Sequence, residues 1–317
     1  MMHPESACVD GPRAYFLVGP TAVGKSAVAH YLARQDRRDI LSTDSMLIYR
    51  GMDIGTDKPN ERERLEVRYW GLDLATPDQS FSVGDYMEQA ARAFQAAAVR
   101  PLLAVGGTGL YVKCLTEGLD ALPPANAALR EQAEQLLLTG GLEALQRALK
   151  EKSPDAYAAL ADPQNPRRLV RAFELAETFA VRTLAWNSQK LPLIIGLEMK
   201  RADLYKRIER RIRRMFEGGL MEEARELRAK YPEFSQTALQ AIGYAEALAC
   251  LDGAMNLNEA IERTAVRTRR LAKRQMTWFR HQANVCWIEV NEGMTVEETA
   301  GQVRSLWEKY GSTSVLV

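Results

Sequence analysis

Apolar residues along the chain fall into two rhythms. Short, largely apolar runs at Ala14–Val18, Ile40–Thr43, Leu102–Val105, Leu193–Met199 and Val285–Val290 predict buried strands, with Tyr69–Leu74 a shorter candidate. Between them lie stretches with helical spacing. Ala27–Ala33 is one and Leu110–Leu115 another. Over Val83–Ala98, the residues Tyr86, Ala90, Ala93, Phe94 and Ala97 share a face, and Ser82 with Asp85 supplies a start signal. Strand and helix alternate, which predicts a doubly wound parallel sheet. The alternation lapses between about Leu119 and Lys190. Helices are expected there near Asn126–Thr139, Leu142–Lys150, Pro154–Leu160 and Arg167–Phe179, the last opened by Asn165-Pro166. Beyond the strand at Leu193, helices are expected around Leu204–Met215, Met221–Lys230, Gln236–Ala249 and Leu257–His281. The expected architecture is therefore α/β, a parallel sheet core at 13–118 and 191–292, and Gly19-Pro20-Thr21-Ala22-Val23-Gly24-Lys25-Ser26 between its first strand and helix makes the expected core P-loop NTPase-like. An all-helical insertion occupies 119–190, with peripheral termini at 1–12 and 293–317.

Composition narrows this little. The chain has 317 residues, 26% of them charged, and a formal net charge of +1. Any nucleic-acid site must then come from local clustering rather than bulk charge. Cys8, Cys114, Cys250 and Cys286 are widely spaced, which predicts reduced thiols rather than a disulfide framework or zinc site. No apolar run approaches a membrane span, and residues 1–12 lack the apolar core of a signal peptide, so a cytoplasmic protein is expected.

The candidate chemistry sits at strand ends. Gly19-Pro20-Thr21-Ala22-Val23-Gly24-Lys25-Ser26 fits the phosphate-loop pattern and lies between a strand and a helix, the context the pattern requires. Backbone amides and the helix N-terminus would cradle an anion, Lys25 would add a full charge, and Ser26 could ligate Mg²⁺. Asp44 ends the second strand, where its carboxylate can serve either as a helix cap or as a chemical group. Gly106-Gly107-Thr108-Gly109 ends the strand at Leu102–Val105, and a second glycine loop on one sheet edge suggests that both loops face one ligand. Arginines cluster in three places: Arg167, Arg168 and Arg171; Arg207, Arg210, Arg211, Arg213 and Arg214; and Arg263 through Arg280 with Trp278 and Phe279 nearby. On the middle helix Glu209 is expected to pair with Arg213. Such clusters suit a nucleic-acid backbone or another anion. On the residues alone, a kinase using the loop for ATP and a non-catalytic RNA-binding module both stay open.

The order Gly19–Ser26, Asp44–Pro59, Val105–Tyr111, Ala241–Tyr244 and Thr268–Arg280 closely resembles the bacterial-type tRNA dimethylallyltransferases, over roughly residues 14–290. The resemblance implies transfer of a five-carbon group from dimethylallyl diphosphate to N6 of the adenosine 3′ to the anticodon, in tRNAs reading codons that begin with U. It implies that Lys25 meets the diphosphate together with residues 19–26, Mg²⁺ and an arginine of the basic helix, Arg207 or Arg211. It makes Asp44 the base and Thr108 the hydroxyl that orients the amine. It places tRNA on Asp44, Ser45, Met46, Leu47, Thr108, Arg130, Arg167, Arg168, Leu169, Val170 and Arg171, and on Gln240, Ala241, Ile242, Gly243, Tyr244 and Ala245. A monomer with tRNA and dimethylallyl diphosphate as its partners is expected. The chain departs from the family pattern at Tyr69–Asp73, Ala180–Thr183 and Ala245.

Overall fold

The computed structural model describes residues 11–97, 100–119, 126–160, 162–176 and 191–317. The chain divides into two compact units, Met1–Leu119 with Lys190–Val317, and Asp120–Gln189.

The first unit is built on a seven-stranded sheet of β1 (Arg13–Val18), β2 (Ile40–Ser42), β3 (Tyr69–Trp70), β4 (Leu102–Gly106), β5 (Leu191–Glu198), β6 (Ala283–Glu289) and β7 (Thr313–Ser314). The order is β3-β2-β4-β1-β5-β6, with every pair along that path parallel and β7 added antiparallel to β1. The central strands are buried on both faces, which is why β1 and β4 read as unbroken apolar runs. Before the insertion come α1 (Lys25–Asp36), α2 (Glu61–Glu66), α3 (Val83–Ala97) and α4 (Gly109–Glu117). The insertion holds α5 (Ala127–Lys152), α6 (Pro154–Ala158) and α7 (Pro166–Leu175). After it come α8 (Arg201–Glu217), α9 (Leu220–Lys230), a short 3₁₀ turn (Ala238–Gln240), α10 (Tyr244–Leu251), α11 (Leu257–Gln282) and α12 (Val296–Tyr310).

Starts are set chemically. Ser82 and Asp85 bond reciprocally at the head of α3, Asn256 and Glu259 cap α11, and Asn165 with Pro166 opens α7. Two elements escape the apolar pattern. The helix α2 buries no side chain, so it has no stripe to detect, and only its Asn60–Glu63 capping box marks it. The C-terminal segment corrects the expectation of a peripheral tail. In α12, Val303 and Trp307 lie in the main core, the Trp307 ring packs against Tyr15 of β1 at 5.0 Å with the planes tilted by 40°, and β7 extends the sheet.

The second unit has its own small core, with Ala133, Leu145 and Leu149 of α5 packed with Ala156, Leu169, Val170 and Phe173. Two helices were expected where α5 runs, and α5 does break at Gly141, whose φ of 68° is left-handed. The departure at Ala180–Thr183, the end of the expected helix at 177–179, and the leader at 1–10 lie outside the described residues. Among the described residues Cys114, Cys250 and Cys286 are free thiols. No helix among them is long and apolar enough to cross a membrane.

What positions the site is the strand order. β1 lies between β4 and β5, so the sheet's winding reverses there, and ligands bind at such points outside the carboxyl ends of strands. Those ends are level: Val18 pairs with Gly106 and Ser42 with Val105. The register therefore delivers the loop at 19–26, Asp44 and Thr108 to one edge.

Candidate active site

The loop after β1 can turn only with glycine. At Gly19 (φ 141°) a Cβ would sit 2.3 Å from the Leu197 carbonyl oxygen of β5. Gly24, at φ 106°, begins α1 without a side-chain cap, which leaves the first-turn amides of α1 for an anion. Ala22 also takes a left-handed φ of 66°, uncommon for a residue with a Cβ. Lys25 folds back across the loop, its Nζ donating to the Pro20 carbonyl at 2.7 Å. The residue is only 9% exposed. Burial lowers its pKa to about 8, against an opposing pull from Asp44, and Arg211 lowers it further. A cation so desolvated favours any anion that enters.

Two arginines of α8 reach the same loop. Arg207 Nη1 donates to the Val23 carbonyl at 3.2 Å. Arg211 Nη1 donates to Thr21 Oγ1 at 2.8 Å and Nη2 to the Thr56 carbonyl at 3.3 Å, while Nε lies 3.3 Å from Asp57 Oδ2 without a hydrogen bond. The expected Glu209–Arg213 pair is not formed. Glu209 reaches instead to Arg269 of α11 at 2.6 Å, because α8 packs on α11 and offers a partner nearer than the next turn.

Asp44 is half-buried and caps no helix. One oxygen, Oδ1, accepts from the Met46 amide at 2.9 Å and tightens a turn. Its other oxygen has no hydrogen bond among the described residues. Thr108 Oγ1 accepts from the Ser45 amide at 3.0 Å and donates to Ser45 Oγ at 3.3 Å, which ties the ends of β2 and β4 together.

Two cavities meet at this edge. One, of about 320 Å³, is lined by Thr21, Ala22 and residues 24–27 with Arg207, Arg210, Arg211 and Arg214. The other, of about 410 Å³, is lined by Ser45, Met46, Thr108 and the 240–242 turn, with Arg267, Arg270 and Arg274 of α11. Thr21, Asp44, Thr56, Arg211 and Gln275 belong to both walls. One chamber, lined by Lys25 and four arginines, suits an anion, the other is a basic, partly apolar mouth, and Asp44 stands at the junction.

Sequence reasoning missed several contributors. Gln275 is buried on the stripe Ala272, Gln275, Phe279, and a polar residue at a core position was its signal. Glu223 of α9 accepts from the Asp53 and Ile54 amides and from the Tyr244 hydroxyl, so it anchors the loop that carries Thr56 and Asp57. Lys58, buried, ties the same loop to the Tyr49 carbonyl at 2.6 Å and to Asp73 at 2.8 Å.

Other predicted contacts are redistributed. Leu47 faces the anion chamber rather than the basic mouth. Tyr244 is fully buried and its hydroxyl also accepts from the Gly55 amide at 3.1 Å, so its side chain supports a loop rather than meeting a ligand. Gln240, Ala241 and Ile242 do line the second cavity; Gly243 and Ala245 do not. Leu169 and Val170 point into the core of the second unit, because they lie on the apolar face of α7. In that unit the buried Glu174 pairs with both Arg130 and Arg171, while Arg167 and Arg168 are exposed. Of the glycine loop at 106–109, Gly106 lines the first cavity and Thr108 the second, while Gly107 faces Gln275.

Residues 47–282 match the family described as IPP transferase. The chain belongs to this family. A tRNA dimethylallyltransferase of Thermomicrobium roseum is 38% identical over 309 residues, covering 95% of this chain and 94% of its own. A full-length tRNA isopentenylpyrophosphate transferase from Bacillus halodurans, solved by crystallography, superposes with a TM-score of 0.66 at 36% identity, over 94% of this chain and 97% of that one. A eukaryotic dimethylallyltransferase acting on tRNA shares the fold at TM-score 0.72 and 22% identity, over 95% of this chain and 77% of that one. Membership of the IPP transferase family answers what the motif left open: the chain is a prenyl-transferring enzyme, and the kinase and passive RNA-binding alternatives are not favoured.

Proposed function

We propose that this IPP transferase moves a dimethylallyl group from dimethylallyl diphosphate to N6 of the adenosine 3′ to the anticodon in tRNAs reading codons that begin with U. The observation that carries this reading is the junction itself, an anion chamber and a basic mouth that share Asp44, Thr21 and Arg211 as a common wall.

Diphosphate enters the loop chamber, where the α1 amides, Lys25, Arg207 and Arg211 hold it. The allylic C1–O bond breaks and its electron pair departs on the diphosphate oxygen. These positive groups, fixed before reaction, stabilise the charge that develops there. The residues fit Mg²⁺ in its usual style, one side-chain oxygen completed by phosphate oxygens and water. Ser26 lines the chamber and would supply that oxygen, and no cluster of three acidic, histidine or cysteine ligands occurs among the described residues. When bound, the ion adds charge neutralisation for the leaving diphosphate.

The acceptor amine comes through the other mouth. Its lone pair forms the new N6–C1 bond, and the proton it sheds goes to the free oxygen of Asp44. Thr108 orients the amine. Met46, Ile212, Met215 and Leu271 give the mouth the apolar surface that a five-carbon chain and an adenine face need. The adenine reaches them by leaving the loop stack. Arg270, Lys273 and Arg274, without ion pairs among the described residues, meet the RNA backbone. Arg167 and Arg168 of the insertion add further phosphate contacts. A cytoplasmic monomer fits a substrate that is a single soluble RNA.

Incubation with unmodified tRNA, Mg²⁺ and labelled dimethylallyl diphosphate tests the reading. Label transferred to tRNA is expected. No label in a tRNA with adenosine beside the anticodon would contradict it.

A further inference from the structure

A buried carboxamide spans the two loops that the reaction must hold apart. Gln275 Oε1 accepts from the Thr21 amide at 2.8 Å, and its Nε2 donates to the Gly107 carbonyl at 3.1 Å. Thr21 belongs to the diphosphate loop, and Gly107 immediately precedes Thr108. The side chain itself comes from α11, the helix that also lends Arg270 and Arg274 to the acceptor mouth.

Three features indicate that this link is more than packing. First, Gln275 lies on the core stripe of α11, where an apolar side chain would pack without desolvating an amide. Second, the loop after β4 is shaped around it. A Cβ on Gly107 would lie 2.2 Å from Gln275 Nε2 and 3.2 Å from the Gly19 carbonyl oxygen, so the glycine is what admits the carboxamide. Third, both of its bonds end on backbone, whose position no rotamer change can adjust. A carboxamide has a donor end and an acceptor end at fixed separation. Bonding one loop at each end sets the distance between them.

We infer that Gln275 is a positioning residue. It fixes the spacing between the loop that holds the leaving diphosphate and the loop whose Thr108 orients the attacking amine. This rests on the reading under Proposed function. Gln275 touches neither reacting atom in this account. It acts through Thr21 and Gly107, and losing it lets the two loops separate. Misplacing reacting groups by about 1 Å costs on the order of a hundredfold in rate.

Two variants and two readouts test this. Gln275→Met keeps length and loses both bonds. It is expected to fold with a melting temperature near wild type and to bind dimethylallyl diphosphate and tRNA within about threefold of wild type. Its single-turnover transfer is expected to be slower by about a hundredfold, the signature of lost orientation rather than lost binding. Gln275→Glu has the same shape. As a carboxylate it accepts from Thr21 but repels the Gly107 carbonyl, and as the neutral acid it both accepts and donates. Its rate relative to wild type, compared at each pH, should therefore rise about tenfold as pH falls from about 8 to 5.5. A structural role would give a flat ratio. The second readout needs no reaction: in ligand-free protein, Gln275→Met should speed hydrogen exchange at the Thr21 amide at least about tenfold. Wild-type transfer by Gln275→Met, a pH-independent ratio, or unchanged exchange at Thr21 would each overturn the inference. If wild type transfers no label, it is the functional reading that fails, and the exchange result still decides whether Gln275 ties the loops.

Discussion

Lys25 shows how a single residue is tuned by its surroundings. Burial lowers its pKa to about 8, Asp44 pulls the other way and Arg211 pushes it lower still. The sign of the consequence follows. Above about pH 8 part of the free protein carries a neutral Lys25, whereas a bound diphosphate holds it charged. Binding must then take up protons at alkaline pH, and affinity must fall as pH rises. Isothermal titration with sulfate, an anion that does not itself titrate in this range, at pH 9 in two buffers of different ionisation enthalpy should show uptake approaching about one proton, and almost none near pH 6.5. Equal enthalpies at pH 9 would mean that Lys25 is already charged in the free protein. Asp44 is a second case of environment deciding role. Its sequence position fitted a cap or a base equally well. In the structure one oxygen accepts from the Met46 amide in a turn that starts no helix, and the residue lines both cavities, so the cap is ruled out and the position suits a base.

At the scale of elements, helices carry charge to places the strands define. The helix α8 points Arg207 and Arg211 at the loop at 19–26. In α11 the charge is partitioned: Arg267, Arg269 and Arg280 are held by Glu246, Glu209 and Glu198 of other elements, which leaves Arg270, Lys273 and Arg274 for a ligand. The same partition operates within the inserted unit. There Glu174 takes Arg130 and Arg171, and Arg167 and Arg168 remain exposed at the start of α7. The prediction at this scale concerns Arg168, whose substitution by alanine should weaken tRNA binding and reduce the slope of log affinity against log salt by about 0.7 to 0.9. Melting temperature should not change. An unaltered slope would assign that arginine to the solvated surface of α7.

For the whole molecule, a parallel sheet with level strand ends makes a site from segments far apart in the chain. That much was legible in sequence, because a parallel core needs continuous apolar strands and its loops fall at known ends. The phosphate loop, Asp44 and Thr108 could be placed together on that ground alone. Cross-chain pairing was not legible. Glu209 choosing Arg269, Glu174 choosing Arg130, and Gln275 choosing two backbones all depend on how helices pack, which periodicity does not encode. Nor was the end of the chain. The helix α12 carries Trp307 into the core against Tyr15, at a distance from β1 in sequence that no local pattern spans. Trp307→Ala should therefore lower stability by about 3 kcal/mol or more, seen as an earlier thermal transition. Transfer activity at 25 °C should persist. A thermal transition like that of wild type would return α12 to the periphery.

The central claim is that leaving group, base and acceptor amine meet at one junction. It is tested most directly by a single-turnover reaction of the protein with Mg²⁺, dimethylallyl diphosphate and an anticodon stem-loop, with nucleosides and free diphosphate both quantified. Wild type should give one N6-prenylated adenosine for each diphosphate released. Asp44→Asn should bind the RNA normally and be slower by about 10² to 10⁴-fold. Diphosphate released without a modified adenosine, or an Asp44→Asn variant as fast as wild type, would contradict it.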